Sequence, residues 1–497
     1  MTIHLSIVLF LPLASGLVAA LLPGRLARSA VLAGPLAVLA YVIVMLFDYE
    51  SGGGLQWVTN DEWISELGIS YKLAVDGLNL FLIALTAIAW VACTLVAAFS
   101  VVERPRLYFF HLALAETAVL GAFMAQDLAL FIVFFDLMLV PFYFLIGGWG
   151  SGERVRATTK FVIYTLSGSL LMLAAAIALG VLATPDGGEI SFALSDLQQR
   201  SIAEGSQHWI VLLFALAFFV KAPLFPLHGW VPETYRSTSI PVLALLSGVL
   251  SKVGVYGFLR IVLPVMPDGA QYWQELFIIV AVFSILYGSI LAFSQDNVRL
   301  VLAYSSIAQL GFIVLGIFLF EEKGAQGALF QMLNHGLVTV PLFLILGVIA
   351  IRARGSESLS ALGGMAFRAP VLAGLFLVIS LATLAMPGSG NFIGEMLILF
   401  GAFEDNLVYG LVASVGVVLA AVYMIRLYQG TMHGRVGSAV ESIDIDRVNL
   451  AAIAPLVAVI VALGVVPNFV IDRTEKDVAK NVAAAKRVTN PEVSVIK

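Results

Sequence analysis

Five charged side chains stand inside long apolar stretches of this sequence: Glu116, Asp136, Lys221, Lys252 and Glu395. At the centre of a membrane helix each charge costs on the order of 2.5–3.5 kcal/mol on insertion scales, so each is a functional candidate unless it belongs to a static pair. Three carboxylates and two ammonium groups exceed what fixing helix register requires. Burial disfavours the charged form of a lysine and a neighbouring carboxylate favours it, so moving the carboxylate changes proton occupancy. With Asp136 and Lys221 about 8 Å apart and an effective dielectric of about 20, their interaction is roughly 2 kcal/mol, or about thirtyfold in the proton equilibrium. Such a pair is a proton switch that needs no cofactor. Lys252 supplies a second protonatable stop and Glu395 a further one, because no single side chain reaches across roughly 30 Å of hydrocarbon.

Two histidines extend the candidate set. His335, in Gln331-Met332-Leu333-Asn334-His335-Gly336, has the titration range of a relay and equally suits a satisfied polar position in a bundle. His228, in Pro226-Leu227-His228-Gly229-Trp230, suits a proton intake position or an organiser of its loop. Ser167, Ser169, Tyr304, Ser305, Ser306 and Gln309 can hold helix packing or ordered water. No metal site is expected, since the chain has no His-Glu-x-x-His string and a single cysteine, Cys93. The same cysteine count excludes a disulfide framework and an iron–sulfur cluster within the chain. Gly52-Gly53-Gly54 and Gly187-Gly188 lack the strand and helix that a nucleotide-binding loop requires, and read as turns.

The elements that must position these groups follow from composition. Of 497 residues, 60% are hydrophobic and 12% charged, with a mean hydropathy of +1.00; soluble proteins carry about a quarter charged residues. This excludes a soluble enzyme, and the net charge of −5 without a basic patch gives no nucleic-acid footprint. Apolar runs of about 20 residues predict an all-α integral membrane protein with about fourteen transmembrane helices. The first run has no basic residues before it and Arg25 and Arg28 after it, so it is expected to be retained as a span rather than cleaved.

Two spans are interrupted. Lys221-Ala222-Pro223 and Pro226 break the seventh, at 208–231, and Met386-Pro387-Gly388-Ser389-Gly390 breaks the twelfth, at 371–403. Freed backbone at that depth survives only where protein or a water-lined cavity satisfies it. The two breaks are about 170 residues and five spans apart, and residues 159–180 align weakly with 328–349. Five is odd, which makes the two five-helix units inverted repeats, the arrangement in which broken helices meet near the midplane. The expected organisation is three helices in 1–106, a first repeat in 107–265, a second in 274–430, and a final helix and tail in 431–497. Arginines such as Arg104, Arg106, Arg154, Arg156, Arg299, Arg352 and Arg354 follow odd-numbered spans, which places those loops in the cytoplasm and both termini outside it.

Four strings carry a resemblance: Phe134-Phe135-Asp136-Leu137-Met138-Leu139-Val140-Pro141, Lys221-Ala222-Pro223-Leu224-Phe225-Pro226-Leu227-His228-Gly229-Trp230, Ala303-Tyr304-Ser305-Ser306, and Met386-Pro387-Gly388-Ser389-Gly390-Asn391-Phe392-Ile393-Gly394-Glu395. They resemble the antiporter-like membrane subunits of proton-pumping NADH:quinone oxidoreductase, complex I, over nearly the whole chain, and within them the M type, in which glutamate stands at position 395 where related types carry lysine. The resemblance implies a proton-translocating subunit of an enzyme complex in a bacterial-type inner membrane, with L-type and N-type subunits as neighbours. NADH, flavin, iron–sulfur clusters and quinone would then reside in partner subunits, with none in this chain. By resemblance, Asp136 and Lys221 form the first-channel pair, Lys252 the central connector, His335 part of the central axis, and Glu395 the end of the second half-channel. Two positions depart from the pattern: Asp136 stands where glutamate is usual, and Gln309 where histidine is frequent. The competing expectations are a large subunit of a multisubunit sodium/proton antiporter, with the same fold, and a membrane scaffold in which the charges are static pairs.

Overall fold

In hydrocarbon a helix is the one open segment that satisfies every backbone N–H and C=O internally, and the apolar runs of this chain fold accordingly. The computed structural model describes residues 4–437, 440, 441 and 443–489. Among them, 11 helices are long and apolar enough to cross a membrane, and Leu5–Leu21 and Pro370–Thr383 are shorter apolar helices. The chain termini themselves lie outside the described residues.

Burial divides these helices into layers. The most apolar window of the 240–265 stretch is wholly enclosed, and those of Val298–Phe318 and Glu322–Arg352 are nearly so. Leu26–Asp48, Leu407–Met432 and Arg447–Val465 bury about a third of their most apolar window; their outward faces stay apolar because lipid is their solvent. The candidate residues Lys252 and His335 therefore sit on central helices.

Three spans are interrupted. The helix Leu128–Leu137 passes into Leu139–Trp149 at Met138, where Pro141 cannot donate to the carbonyl four residues earlier. Glu204–Lys221 stops at the first expected break, and Val231–Ser237 resumes beyond it. Pro370–Thr383 and Gly390–Asp405 flank the second. A further irregularity was not foreseen: π-helical segments Leu246–Leu250 and Phe258–Val262 bracket the short helix Ser251–Gly257 that carries Lys252.

The structure adds two elements to the all-helical expectation. Gln56–Ile64 and Ile69–Val75 pair as an antiparallel hairpin, in the polar segment between the second and third spans. The last span ends at Val465, just before Pro467. Beyond it Asn468–Thr489 is a helix rather than a featureless tail. Its Val470, Val478, Val482 and Ala485 are buried while acidic and basic residues fill the other face, the pattern of a helix lying on a protein surface. Gln326 donates to Thr474 at 2.6 Å, Tyr49 to Asp477 at 3.0 Å and Lys486 to Glu321 at 3.1 Å, which ties this helix to both halves of the chain.

A buried ion pair escaped the sequence reading. Arg260 lies in the same stretch as Lys252 and binds Asp76 bidentately, at 2.7 and 2.5 Å, with its Nε on the Tyr256 hydroxyl at 2.7 Å. Both partners are about 95% shielded, and Tyr256 in turn donates to the Phe123 carbonyl at 3.0 Å. The cluster joins the start of the third span to the eighth. Asp444 accepts from the backbone N–H groups of Val371 at 2.9 Å, Leu372 at 3.0 Å and Ile445 at 2.7 Å, satisfying orphan donors at a helix start.

Removing one partner of a buried ion pair strands the other, at a cost of about 3–5 kcal/mol. Asp76→Ala is expected to lower the thermal midpoint of the purified assembly, whereas Asp76→Leu combined with Arg260→Met restores most of it; equal loss in both variants would remove the pair from this role. Burial alone raises the Asp444 pKa, but the three backbone donors and the charge of Arg352 outweigh it, and the group sits below the ordinary carboxylate range. Its contribution is therefore complete above the unfolded value, about pH 4, and is lost as pH falls through the lower folded value. An acid titration of thermal stability should lose its lowest-pH step in Asp444→Asn.

Candidate functional site

The break after Lys221 is held open by its own sequence. Pro223 and Pro226 cannot donate backbone hydrogen bonds, and the Trp230 indole instead donates to the Val220 carbonyl at 3.0 Å. The Phe225 N–H goes to Ser284 at 3.0 Å. His228 shares a 3.3 Å hydrogen bond with the Tyr287 hydroxyl. Pro223 and Pro226 of the Lys-x-Pro-x-x-Pro-x-His-x-Trp string thus make the break, and its Trp230 compensates it.

Lys221 ends its helix 96% buried. Its ammonium lies 3.5 Å from the Phe135 carbonyl and 4.6 Å from the centre of the Phe135 ring. Asp136, on the next residue, is within electrostatic range of Lys221, yet the two form no ion pair within 4.0 Å among the described residues. One Asp136 oxygen is buried without a partner. The pair is close enough to couple and is not locked.

Lys221 and Lys252 are brought onto adjacent surfaces at Gly254. A Cβ there would stand 2.8 Å from the Phe218 carbonyl and 3.2 Å from the Lys221 Cβ, so the crossing tolerates no side chain. Lys252 is completely buried and donates to the Ser247 carbonyl at 2.9 Å, five residues back, and to Ser251 at 3.4 Å. The π-helical turn supplies that acceptor, because its widened ladder redistributes backbone carbonyls. His335 lies within electrostatic range of Lys252, and its helix meets the π segment where a Cβ on Gly336 would stand 2.7 Å from the Gly248 carbonyl.

Beyond His335 the path continues through amides. Gln331 donates to Gln309 at 2.8 Å and to Glu395 at 3.4 Å, and Gln309 donates to Glu395 at 2.9 Å. Ser305 and Tyr423 share a 2.8 Å hydrogen bond on the neighbouring helices. Glu395 is 98% buried, with its second oxygen unpartnered. Asn391 has no partner on either amide atom, nor has His335 on Nδ1, among the described residues. Leaving a buried polar atom unpaired costs about 1–3 kcal/mol, so such atoms are not favoured by packing alone. Ser247 and Ser306 link the two halves at 3.1 Å.

Lys221, Lys252, His335 and Glu395, all buried, and the half-buried Asp136 are thus brought into one row of polar groups. Glu116 is completely buried with neither carboxylate oxygen partnered, and the structure shows no contact that joins it to that axis. His228 borders the break behind Lys221. Sequence reading missed Gln331, Asn391 and Tyr423; the Gln331-x-x-Asn334-His335 spacing, which puts three polar side chains on one helical face, was the available signal.

A family model described as "NADH:quinone oxidoreductase/Mrp antiporter, TM" matches residues 125–420. The NADH-quinone oxidoreductase subunit M of Mycobacterium tuberculosis is 37% identical over 94% of this chain and 92% of its own length. The chain belongs to the subunit M family of NADH-quinone oxidoreductase. Respiratory complex I from Thermus thermophilus contains a chain that superposes with a TM-score of 0.89 at 30% identity, covering 96% of this chain and 99% of that one. A chain of the Mrp complex from Dietzia shares the fold, with a TM-score of 0.82 at 22% identity and 98% of each chain covered. In this subunit M relative the matched segment holds the polar axis from Asp136 to Glu395.

Contact at Gly394 sets the spacing of Glu395 from its amide donors: a Cβ there would stand 2.6 Å from Gln331 Oε1. Gly394→Val is expected to cut the proton yield per NADH oxidised in inside-out vesicles at least about tenfold by displacing the amides, while Gly394→Ala cuts it less. Equal, full yields in both variants would detach the amide link from transport.

Proposed function

We propose that the chain is the proton-translocating, antiporter-like subunit of a respiratory complex I, driven by NADH-to-quinone electron transfer in partner subunits. The observation that carries the reading is the buried axis running from Asp136 through Lys221, Lys252 and His335 to Glu395, on elements interrupted on both sides of its centre. Fourteen spans, two inverted five-helix repeats over 107–265 and 274–430, three leading helices in 1–106 and a final helix in 431–497 are the organisation that fits it. The weak match of 159–180 to 328–349 and the paired breaks support the inversion. Arginine-rich loops support termini outside the cytoplasm of a bacterial-type inner membrane.

In the mechanism, a neighbouring subunit changes the Asp136 to Lys221 separation. Withdrawal of the carboxylate removes the attraction that favours the ammonium form, and Lys221 passes its proton toward Lys252. The reverse approach reloads it. His335 and the Gln331–Gln309 amides bridge Lys252 to Glu395, which exchanges with the far side; Gln309 acts there as an orienting donor, with water carrying the proton. Glu116 and His228 serve as an accessory acid and an intake residue. L-type and N-type subunits are the flanking partners, and flavin, iron–sulfur clusters and quinone belong to other subunits. Lys221 held near Asp136 without a direct bond favours this reading over a scaffold, in which static pairs would close.

Lys221→Ala and Asp136→Ala, each in the assembled complex, are expected to abolish most proton pumping in vesicles while the flavin and iron–sulfur subunits still co-purify. Undiminished pumping in both would overturn the mechanism. Purification of the chain without any redox subunit would instead favour the sodium/proton antiporter reading.

A further inference from the structure

Two helix-to-helix turns meet at one end of the bundle, where Leu5–Leu21 gives way to Gly24–Asp48 and Leu80–Phe99 to Pro105–Met124. Between them is a cavity of about 510 Å³ whose lining includes Leu22, Arg28, Phe99, Val101, Arg106 and Phe109. None of its lining residues belongs to the proposed proton path.

The chemistry of this cavity is two-sided. Arg28 and Arg106 supply two positive charges, Arg28 lying 6.0 Å above the Phe99 ring. Among the described residues no carboxylate lines the cavity and neither arginine has an ion-pair partner within 4.0 Å. The rest of the wall is largely apolar, and at its rim Val101 is fully exposed and Phe99 about half exposed. The first helix, whose Ala19 lines the cavity together with the adjoining Leu22, exposes the apolar Leu21, Val18 and Leu17 along its outer side.

Two unpaired cations above an apolar track match one kind of molecule, a phosphate ester carrying acyl chains. Basic pockets between membrane helices hold anionic headgroups in this way, each basic residue near the surface adding a modest increment of affinity. A soluble anion would use the arginines and leave Val101 and Phe99 wet; a neutral lipid would use the track and leave the arginines without a counter-charge.

We propose that this cavity is a binding site for an anionic glycerophospholipid, its phosphate on Arg28 and Arg106 and its acyl chains along the outer face of the first helix. The site fixes the two turns to each other through the lipid, since Arg28 follows the first turn and Arg106 the second.

The test uses the intact complex in phosphatidylcholine nanodiscs containing a trace of photoactivatable phosphatidylglycerol. Cross-links are expected within residues 19–28 and 98–109, competed by unlabelled phosphatidylglycerol and by neither phosphatidylcholine nor millimolar inorganic phosphate. Arg28→Gln with Arg106→Gln should lower labelling of these segments about thirtyfold; Lys323→Gln, at a residue paired with Glu404 in an exposed position, should leave it unchanged. Equal competition by phosphatidylcholine, competition by inorganic phosphate, labelling insensitive to the double variant, or absence of labelling in the two segments would each overturn the proposal. The competition arms on the unmodified complex decide it even where the double variant fails to assemble.

Discussion

Hydrocarbon offers no hydrogen bonds, and every unusual feature of this chain answers to that fact. A backbone broken at the buried Ala222 must find partners within the protein, so the Trp230 indole turns back to the Val220 carbonyl; at the second break, whose Gly388 is exposed, Ser389 caps the helix that begins at Gly390. A lysine buried as completely as Lys252 must likewise find an acceptor, and the π-helical turn before it presents the Ser247 carbonyl. At Lys252 the irregular backbone and the ionisable side chain belong to one arrangement: the π-helical turn presents the carbonyl that the ammonium group needs.

Glycine sets the spacing of that arrangement. At Gly254, Gly336 and Gly394 the helices approach so closely that a single added carbon would stand below 3 Å from a neighbouring atom. Small residues permit such approach, and in lipid the gain comes from packing and interhelical hydrogen bonds because there is no water to expel between helices. These three crossings align Lys221 with Lys252, Lys252 with His335, and Glu395 with Gln331. The amide at position 309 belongs to the same logic. It cannot take up a proton as histidine would, but it holds one oxygen of Glu395 and leaves the other unpartnered.

Charge serves two different ends in this fold. Arg260 and Asp76 are fully satisfied by each other and by Tyr256, which makes them a fixed clamp between the leading helices and the enclosed core. Asp136, His335 and Glu395 each keep an atom without a partner. Burial alone does not separate the clamp from the axis, because Arg260 and Lys252 are both deeply shielded.

Composition and run length by themselves determined a multi-span helical membrane protein, since hydrophobic thickness translates directly into residues per helix. Proline and glycine placed the breaks at 222–226 and 386–390, because their backbone limits are local. The isolated charges at Asp136, Lys221, Lys252 and Glu395 stood out for the same reason. Which charges pair was decided only in three dimensions: Arg260 meets Asp76 across 184 positions of sequence, and no local pattern announces a contact at that distance. The hairpin at 56–75 and the surface helix Asn468–Thr489 were equally hidden, for they owe their form to the protein surface they lie on rather than to the bilayer. The order of stops along the axis belongs to tertiary structure as well, because it is fixed by close approaches between helices far apart in the chain.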